Sequence, residues 1–251
     1  MQTCKYCSKE KPLVKSHIIP RSFFEIKDFH RKAPTKSLSL LSDSEGLKPM
    51  KRPVGIYDVH LFCKECENKF MKYDDYAFKL LNEKGDSRKT QKDEMGQVLG
   101  KYYDNFNYDM LKLFFMSVLL RAGLSDDFFF QHVNLGPYTE VLKEAIDSGD
   151  AKGPNDFAVF LAYYAQIKRG PVIFPPAIRK IEGINFYNFH IGRVIFYIKV
   201  DKRGTPSALK PIILKPEGKL FLLEFDLRDS SAFEILKRTV NNPANSKYFT
   251  A

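Results

Sequence analysis

The sequence predicts an α+β protein in two parts. Residues 1–95 form a small module of strands and one helix gathered around four cysteines, and residues 96–251 form a part built of helices and antiparallel strands. Three observations predict this. All four cysteines fall in two C-x-x-C pairs, CKYC (4–7) and CKEC (63–66). Apolar residues recur at helical spacing after the second pair and twice more downstream. Beyond Pro154 the pattern changes to short aromatic and β-branched runs separated by Gly and Pro. With 251 residues, 44% of them hydrophobic and 14% aromatic, the chain carries enough apolar surface for a real core.

The first element is the CKYC turn. The opening residues MQTCKYCSKEK contain no apolar signal core, and the most apolar run, MLKLFFMSVLL (110–120), is too short to cross a membrane and contains Lys112. The expected location is therefore cytoplasmic, where disulfides are rare and paired cysteines read as a metal site. Cys4, Cys7, Cys63 and Cys66 supply four thiolates, the set for one tetrahedral Zn²⁺. Four thiolates close the coordination sphere, so this zinc is expected to be structural. The 55 residues between Cys7 and Cys63 imply a long inserted loop.

Next comes LVKSHII (13–19), an alternating stretch stopped by Pro20, and later YDVHLFC (57–63), a second strand entering the second pair. The segment 63–83 then reads as a helix, with Phe70, Tyr73, Ala77, Leu80 and Leu81 on one face. A polar stretch, 82–97, marks the boundary between the parts. The run 108–123 is a strongly apolar helix ending at Gly123, and 137–149 is an amphipathic helix with Pro first and Gly last. FAVFLAYYAQ is ambiguous, whereas FYNFHI, GRVIFYIKV (192–200) and KLFLLEFDL (219–227) read as strands of a small antiparallel sheet. A last helix is expected over 231–240. His132 and His190 are isolated and read as structural.

In order, the N-terminal phrases are a C-x-x-C knuckle, Ser-His-Ile-Ile-Pro (16–20), Asp58 ahead of Cys63, and Cys-Glu-Asn (66–68) opening the helix. This succession resembles the HNH (ββα-metal, treble-clef) endonuclease superfamily in its zinc-knuckle form, over roughly the first 80 residues. The resemblance implies a zinc-bound ββα-metal module and metal-dependent hydrolysis of phosphodiester bonds. Position by position it implies His17 as the general base, Glu67 as a ligand of the catalytic ion, and Asp58 as the brace of the loop. Ser16 stands where the family usually carries an Asp or His ligand.

Mg²⁺ or Mn²⁺ takes hard oxygen ligands. Asp74 lies seven residues after Glu67, two helical turns on and on the same side, so His17, Glu67 and Asp74 form the expected catalytic constellation. Asp75 is less well phased, and Asn68 serves as ligand if the helix is rotated by one residue. His60 points away from His17 if the strand alternates. An imidazole, with an ordinary pKa of about 6.5, suits a base working near neutrality, a role worth typically 10²–10⁴-fold in rate.

Lys and Arg number 40 against 30 Asp and Glu, a net charge of +10. That balance favours a polyanionic partner: DNA, with RNA as an alternative. Arg21 is the preferred phosphate contact, with Lys15, Arg31, Lys51 and Arg52 as further candidates. Residues 96–251 contain no catalytic phrase and are expected to pack on the first module, recognise a partner or target, or form a homodimer. Downstream likeness to some bacterial HNH-like proteins implies a setting in phage defence. Two other readings stand beside the nuclease: a zinc-stabilised nucleic-acid-binding or regulatory protein without catalysis, and a protein-binding scaffold whose basic charge only solvates it.

Overall fold

The computed structural model describes residues 1–24, 39–40, 50–51, 55–83, 88–164, 172–191 and 194–226, together with 228, 234 and 237. Of the helix expected over 231–240, only Glu234 and Lys237 fall inside this set; Arg31 and Arg52 lie outside it.

The chain begins with a two-stranded ribbon, β1 (Gln2–Thr3) and β2 (Glu10–Lys11), whose connection is the CKYC turn. Ser8 takes a left-handed φ of 57° there, and its N–H donates to the Cys4 carbonyl at 2.8 Å while the Cys4 N–H donates to Lys9 at 3.0 Å. β3 (Leu13–His17) follows and, past the pair β4 (Ser39–Leu40) and β5 (Met50–Lys51), runs antiparallel to β6 (Tyr57–Cys63). The register of β3 and β6 slips once. Val14 faces Phe62 and Ser16 faces Asp58, so Lys15 stands opposite three residues, 59–61. Such a bulge bends the strand locally.

Cys63 ends β6 in extended conformation and is the N-cap of α1 (Lys64–Phe78). The expected apolar face is realised: Cys66, Phe70, Tyr73 and Ala77 are buried, and Leu80 and Leu81 continue it through a π-turn at Lys79–Glu83.

The polar stretch after α1 holds a strand that its composition conceals. β7 (Lys89–Lys92) forms a hairpin with β8 (Val98–Tyr103) and enters the main sheet at its edge, where polar strands are tolerated. The boundary drawn after residue 95 thus falls in the turn of this hairpin. α2 (Tyr108–Leu124) is capped by Asn107, which accepts from the Met110 N–H at 2.9 Å. It is apolar on nearly every side because it is buried on nearly every side, the pattern of a core helix. α3 (Tyr138–Ser148) is amphipathic and stops at Gly149, whose φ of 70° is the left-handed cap that glycine supplies.

The remaining strands are β9 (Val159–Tyr164), β10 (Val172–Ile173), β11 (Ala177–Ile181), β12 (Ile184–Ile191), β13 (Val194–Lys199) and β14 (Leu220–Phe225). Seven strands form one sheet in the order β11-β12-β13-β9-β14-β8-β7. It is not wholly antiparallel as expected: β14 lies parallel to β9, Leu222 against Leu161. β14 reaches that slot only after the chain leaves β13 and crosses a loop with a 3₁₀ turn at Ser207–Leu209, and this crossover fixes its direction. A side chain at Gly100 on β8 would sit 2.2 Å from the Leu222 carbonyl oxygen, so glycine is required for the two strands to pair.

α2 lies at the centre. Phe115 meets Phe196 of the sheet at 4.6 Å between ring centroids, and Phe114 stacks on Phe23 of the first module at 5.5 Å. One apolar cluster runs unbroken from Cys4 to Leu222. At roughly 1.5–3 kcal/mol for each fully buried Leu or Phe, the two parts are stabilised as a single body.

Candidate functional site

The ribbon turn and the start of α1 bring the four cysteines together. Their sulfur atoms all lie within 4.8 Å of one another; Cys4, Cys63 and Cys66 are buried and Cys7 half-buried. Tetrahedral Zn–S bonds of about 2.3 Å would place the sulfurs roughly 3.8 Å apart, so a small contraction of the cluster fits the ion. The donor chemistry agrees. Burial pushes the thiols of Cys63 and Cys66 up. Cys4 is buried too, yet N–H groups of Cys7, Cys63 and Tyr6 outweigh that and bring it down to about 7, with the Cys63 N–H 3.3 Å from its sulfur. One thiolate forms readily here, and a divalent cation is what lets the others follow. The four cysteines are thus placed to bind a metal ion, consistent with structural zinc.

The two residues between Cys4 and Cys7 fasten the turn to the rest of the protein. Lys5 Nζ donates to the Leu124 carbonyl at 3.0 Å and to Asp126 at 2.5 Å, at the end of α2. Tyr6 Oη donates to Asp147 of α3 at 2.7 Å.

The β3–β6 hairpin presents two faces. Ser16 is fully buried against α1. Alternation sends Lys15 and His17 to the other face, where the Lys15 ammonium lies 3.7 Å from the centre of the Tyr57 ring and the half-buried His17 ring 5.9 Å from it. His17 and Glu67 therefore meet through the backbone: the Glu67 carboxylate lies within hydrogen-bonding reach of the Ser16 hydroxyl and the His17 N–H, while the Ser16 hydroxyl donates to the Val14 carbonyl at 3.3 Å. Burial raises the Glu67 pKa above the usual carboxylate range; the Arg121 charge, the Ser16 hydroxyl and the His17 N–H oppose it, while the Asp74 charge adds to it. Glu67 Oε2 is buried and receives no hydrogen bond.

Asp74 shares this inner face but is spoken for. Both its oxygens accept from Arg121 of α2, at 2.7 and 2.9 Å. Burial pushes its carboxyl up against the pull of that guanidinium. The ligand role expected for Asp74 does not follow from this geometry, because a metal ion there would sit beside a buried cation. Asp75 and Asn68 line a separate open groove of about 520 Å³ between α1 and α3.

Asp58 braces the bulge. Its Oδ1 accepts from the His60 N–H at 2.7 Å, and Oδ2 accepts from the Ser125 hydroxyl at 3.0 Å and the Asp126 N–H at 3.2 Å. His60 itself is exposed, 3.2 Å from Gln2. The exposed Arg21 opens a 3₁₀ turn at Arg21–Phe24, directly after the buried Pro20, and Phe23 of the same turn is buried in the core. Of Lys51 only the backbone is described, paired with Ser39.

Arg121, Ser125 and Lys5 escaped the sequence reading. A signal for Arg121 existed: an arginine inside an otherwise apolar helix must be buried, and a buried guanidinium requires a carboxylate. The matching acid, Asp74, lies on a different helix, and a single sequence does not name the pair.

For a catalytic Mg²⁺ or Mn²⁺, the donor set among the described residues reduces to Glu67, whose orphaned Oε2 is the one buried carboxylate oxygen without a donor. A single buried oxygen, beside the Arg121 charge and on the face away from the His17 ring, does not fit an ion that keeps waters and takes substrate phosphate oxygens as its other ligands, so the ligand role expected for Glu67 does not follow from this geometry. Among the described residues no helix is long and apolar enough to cross a membrane. No family model, curated protein or solved structure matches this chain.

Proposed function

We propose that the chain is an endonuclease of the ββα-metal, treble-clef type, hydrolysing phosphodiester bonds in DNA, with His17 as general base. The observation that carries this reading is the knuckle–hairpin–helix assembly closed by the four cysteines, with His17 on the open face of the hairpin and Glu67 behind it. The net charge of +10 supports a polyanionic substrate.

In this reading the His17 imidazole takes a proton from the attacking water. Lys15 beside His17 and the exposed Arg21 four residues on hold phosphates in this reading, and contacts of this kind make binding steeply salt-dependent. A divalent ion, which would offset charge gathering on the phosphate and the leaving oxygen, would have to lie on the His17 side of the hairpin, while Glu67 supports the His17 strand from behind. Asp58 shapes the β6 bulge and touches no substrate. Asp74 acts with Arg121 in place of the ligand role expected of it.

A second reading is favoured by the Arg121 charge beside Glu67 and Asp74: a zinc-stabilised protein that binds nucleic acid without cutting it. Plasmid cleavage with Mg²⁺ or Mn²⁺, comparing wild type with His17→Ala, separates the two. Cleavage by wild type and its loss in the variant support the nuclease. Salt-sensitive binding with no cleavage supports the second reading, and equal cleavage by both proteins removes His17 as the base.

A further inference from the structure

The end of α2 and the two residues after it hold the N-terminal module at three points. Arg121 bonds to the His17 carbonyl at 3.0 Å. Ser125 and Asp126 bond to Asp58 at the β6 bulge. The Leu124 carbonyl and Asp126 receive Lys5 from the cysteine turn. These four residues lie beyond the first module, yet they meet the strand, the bulge and the metal-binding turn.

Arg121 is the most constrained of them. It is fully buried, and its five N–H groups all have acceptors. Nε donates to the Ser117 carbonyl at 3.2 Å, and the terminal nitrogens donate to the Ser117 hydroxyl at 3.1 Å, to both Asp74 oxygens and to His17. The Phe70 ring lies 5.0 Å from its guanidinium carbon. A planar fork with every donor used has one orientation.

The pairing pattern explains why His17 needs such support. Ile18 N–H donates to the Ile56 carbonyl at 3.1 Å. Bonded and non-bonded pairs alternate in an antiparallel ladder, so the N–H and C=O of His17, which faces Tyr57, point away from β6. Side chains take both groups: the Glu67 carboxylate of α1 lies at the N–H, and Arg121 of α2 donates to the carbonyl.

We propose that the end of α2 is the positioning element of the site and that Arg121 is the positioning residue for His17, fixing the strand end whose imidazole works on the opposite face. The inference rests on the nuclease reading, in which His17 is the base. It implies that a partner or ligand moving α2 would change turnover without touching substrate.

The test uses the full chain carrying Arg121→Lys. A lysine keeps a cation beside Asp74 but lacks the fork that serves Asp74, Ser117 and His17 together. Single-turnover cleavage at saturating DNA is expected to fall by about 10²-fold, the scale of a displaced catalytic group, with DNA affinity unchanged. In the same protein, amide exchange at His17 and Ile18 is expected to quicken by about tenfold or more, with β9 and β13 amides unaffected. Ser125→Ala, which removes the bond to Asp58 and leaves the buried charges in place, is expected to give a smaller loss of turnover, and it tests the end of α2 as the positioning element if the lysine variant does not fold, wild-type turnover counting against it. Wild-type exchange at 17–18 together with wild-type turnover overturns the inference. If wild type itself does not cut, or His17→Ala cuts equally well, the nuclease reading fails, and the exchange measurement alone decides whether Arg121 holds the strand.

Discussion

Both oxygens of Asp74 accept hydrogen bonds from one guanidinium, that of Arg121, at 2.7 and 2.9 Å, across the contact between α1 and α2. Arg121 is completely buried, so Asp74 is what keeps a charge in the core from standing alone. Asp74→Ala is expected to destabilise the protein by about 3–5 kcal/mol, the cost of stranding one member of a buried pair. Urea denaturation reads this directly. The double change Arg121→Met with Asp74→Leu should recover most of the loss, because apolar replacements remove both desolvation penalties. An alanine variant of wild-type stability that binds Mn²⁺ more weakly would return Asp74 to the role of ligand.

The cysteine cluster predicts about one zinc per chain, lost on treatment with a strong chelator. Structural zinc contributes on the order of 10–16 kcal/mol of apparent binding free energy in small peptides, and the ribbon that carries Cys4 and Cys7 has only four paired residues of its own. Removal of the metal should therefore unfold the turn. Lys5 and Tyr6 then release the end of α2 and the outer side of α3, and amide exchange at 121–126 should quicken with them. A metal-free protein with unchanged exchange in both regions contradicts the assignment.

What was legible in the sequence was whatever local pattern decides. The α1 face (Phe70, Tyr73, Ala77), the buried α2 run and the Gly149 stop each follow from residues a few positions apart. The cysteine cluster was legible because its spacing has one common use. Pairing across long distances was not. Nothing local says that β14 lies parallel to β9, or that Lys89–Lys92 is an edge strand. The candidate site divides in the same way. Glu67 beside Ser16 and His17 follows from the phrase order, but Arg121 enters from 104 residues beyond His17, and with it the reason that Asp74 is engaged.

His190 predicts acid sensitivity. It is buried on β12 with its ring 4.9 Å from Phe174 and 6.2 Å from Tyr164. Burial, aided by the charge of Arg179, brings its pKa down to about 3 from 6.5. A depressed pKa means that the unfolded chain takes up the proton first, so stability falls as pH drops from about 6.5 towards 3, with a limiting slope of about 1.4 kcal/mol per pH unit. His190→Phe keeps an apolar ring and removes the proton. Its stability relative to wild type should rise steadily through that window and stay level above pH 7. A constant difference from pH 4 to pH 8 would show that His190 does not titrate on unfolding.

Lys112 predicts the opposite end of the pH scale by the same reasoning. It sits fully buried in α2, with its ammonium nitrogen 3.5 Å from both the Tyr108 hydroxyl and the Gly153 carbonyl, at the limit of hydrogen bonding. Burial lowers its pKa to about 7; the charge of Lys199, itself buried on β13, acts in the same direction, and Asp156 opposes both. In the unfolded chain the amine holds its proton up to about 10.5, so folding expels that proton wherever the pH lies between 7 and 10.5. The cost vanishes above 10.5, grows as pH falls, and levels off below 7. Lys112→Met fills the same space without a charge and leaves the Tyr108 hydroxyl its bond to the Lys152 carbonyl at 3.0 Å. The variant should therefore be more stable than wild type by roughly 1–3 kcal/mol at pH 7, and the gain should shrink towards zero by pH 10.5. Paired urea titrations at the two pH values check the sign. A loss of stability at pH 7 would mean that the two long contacts of Lys112 outweigh the proton it gives up.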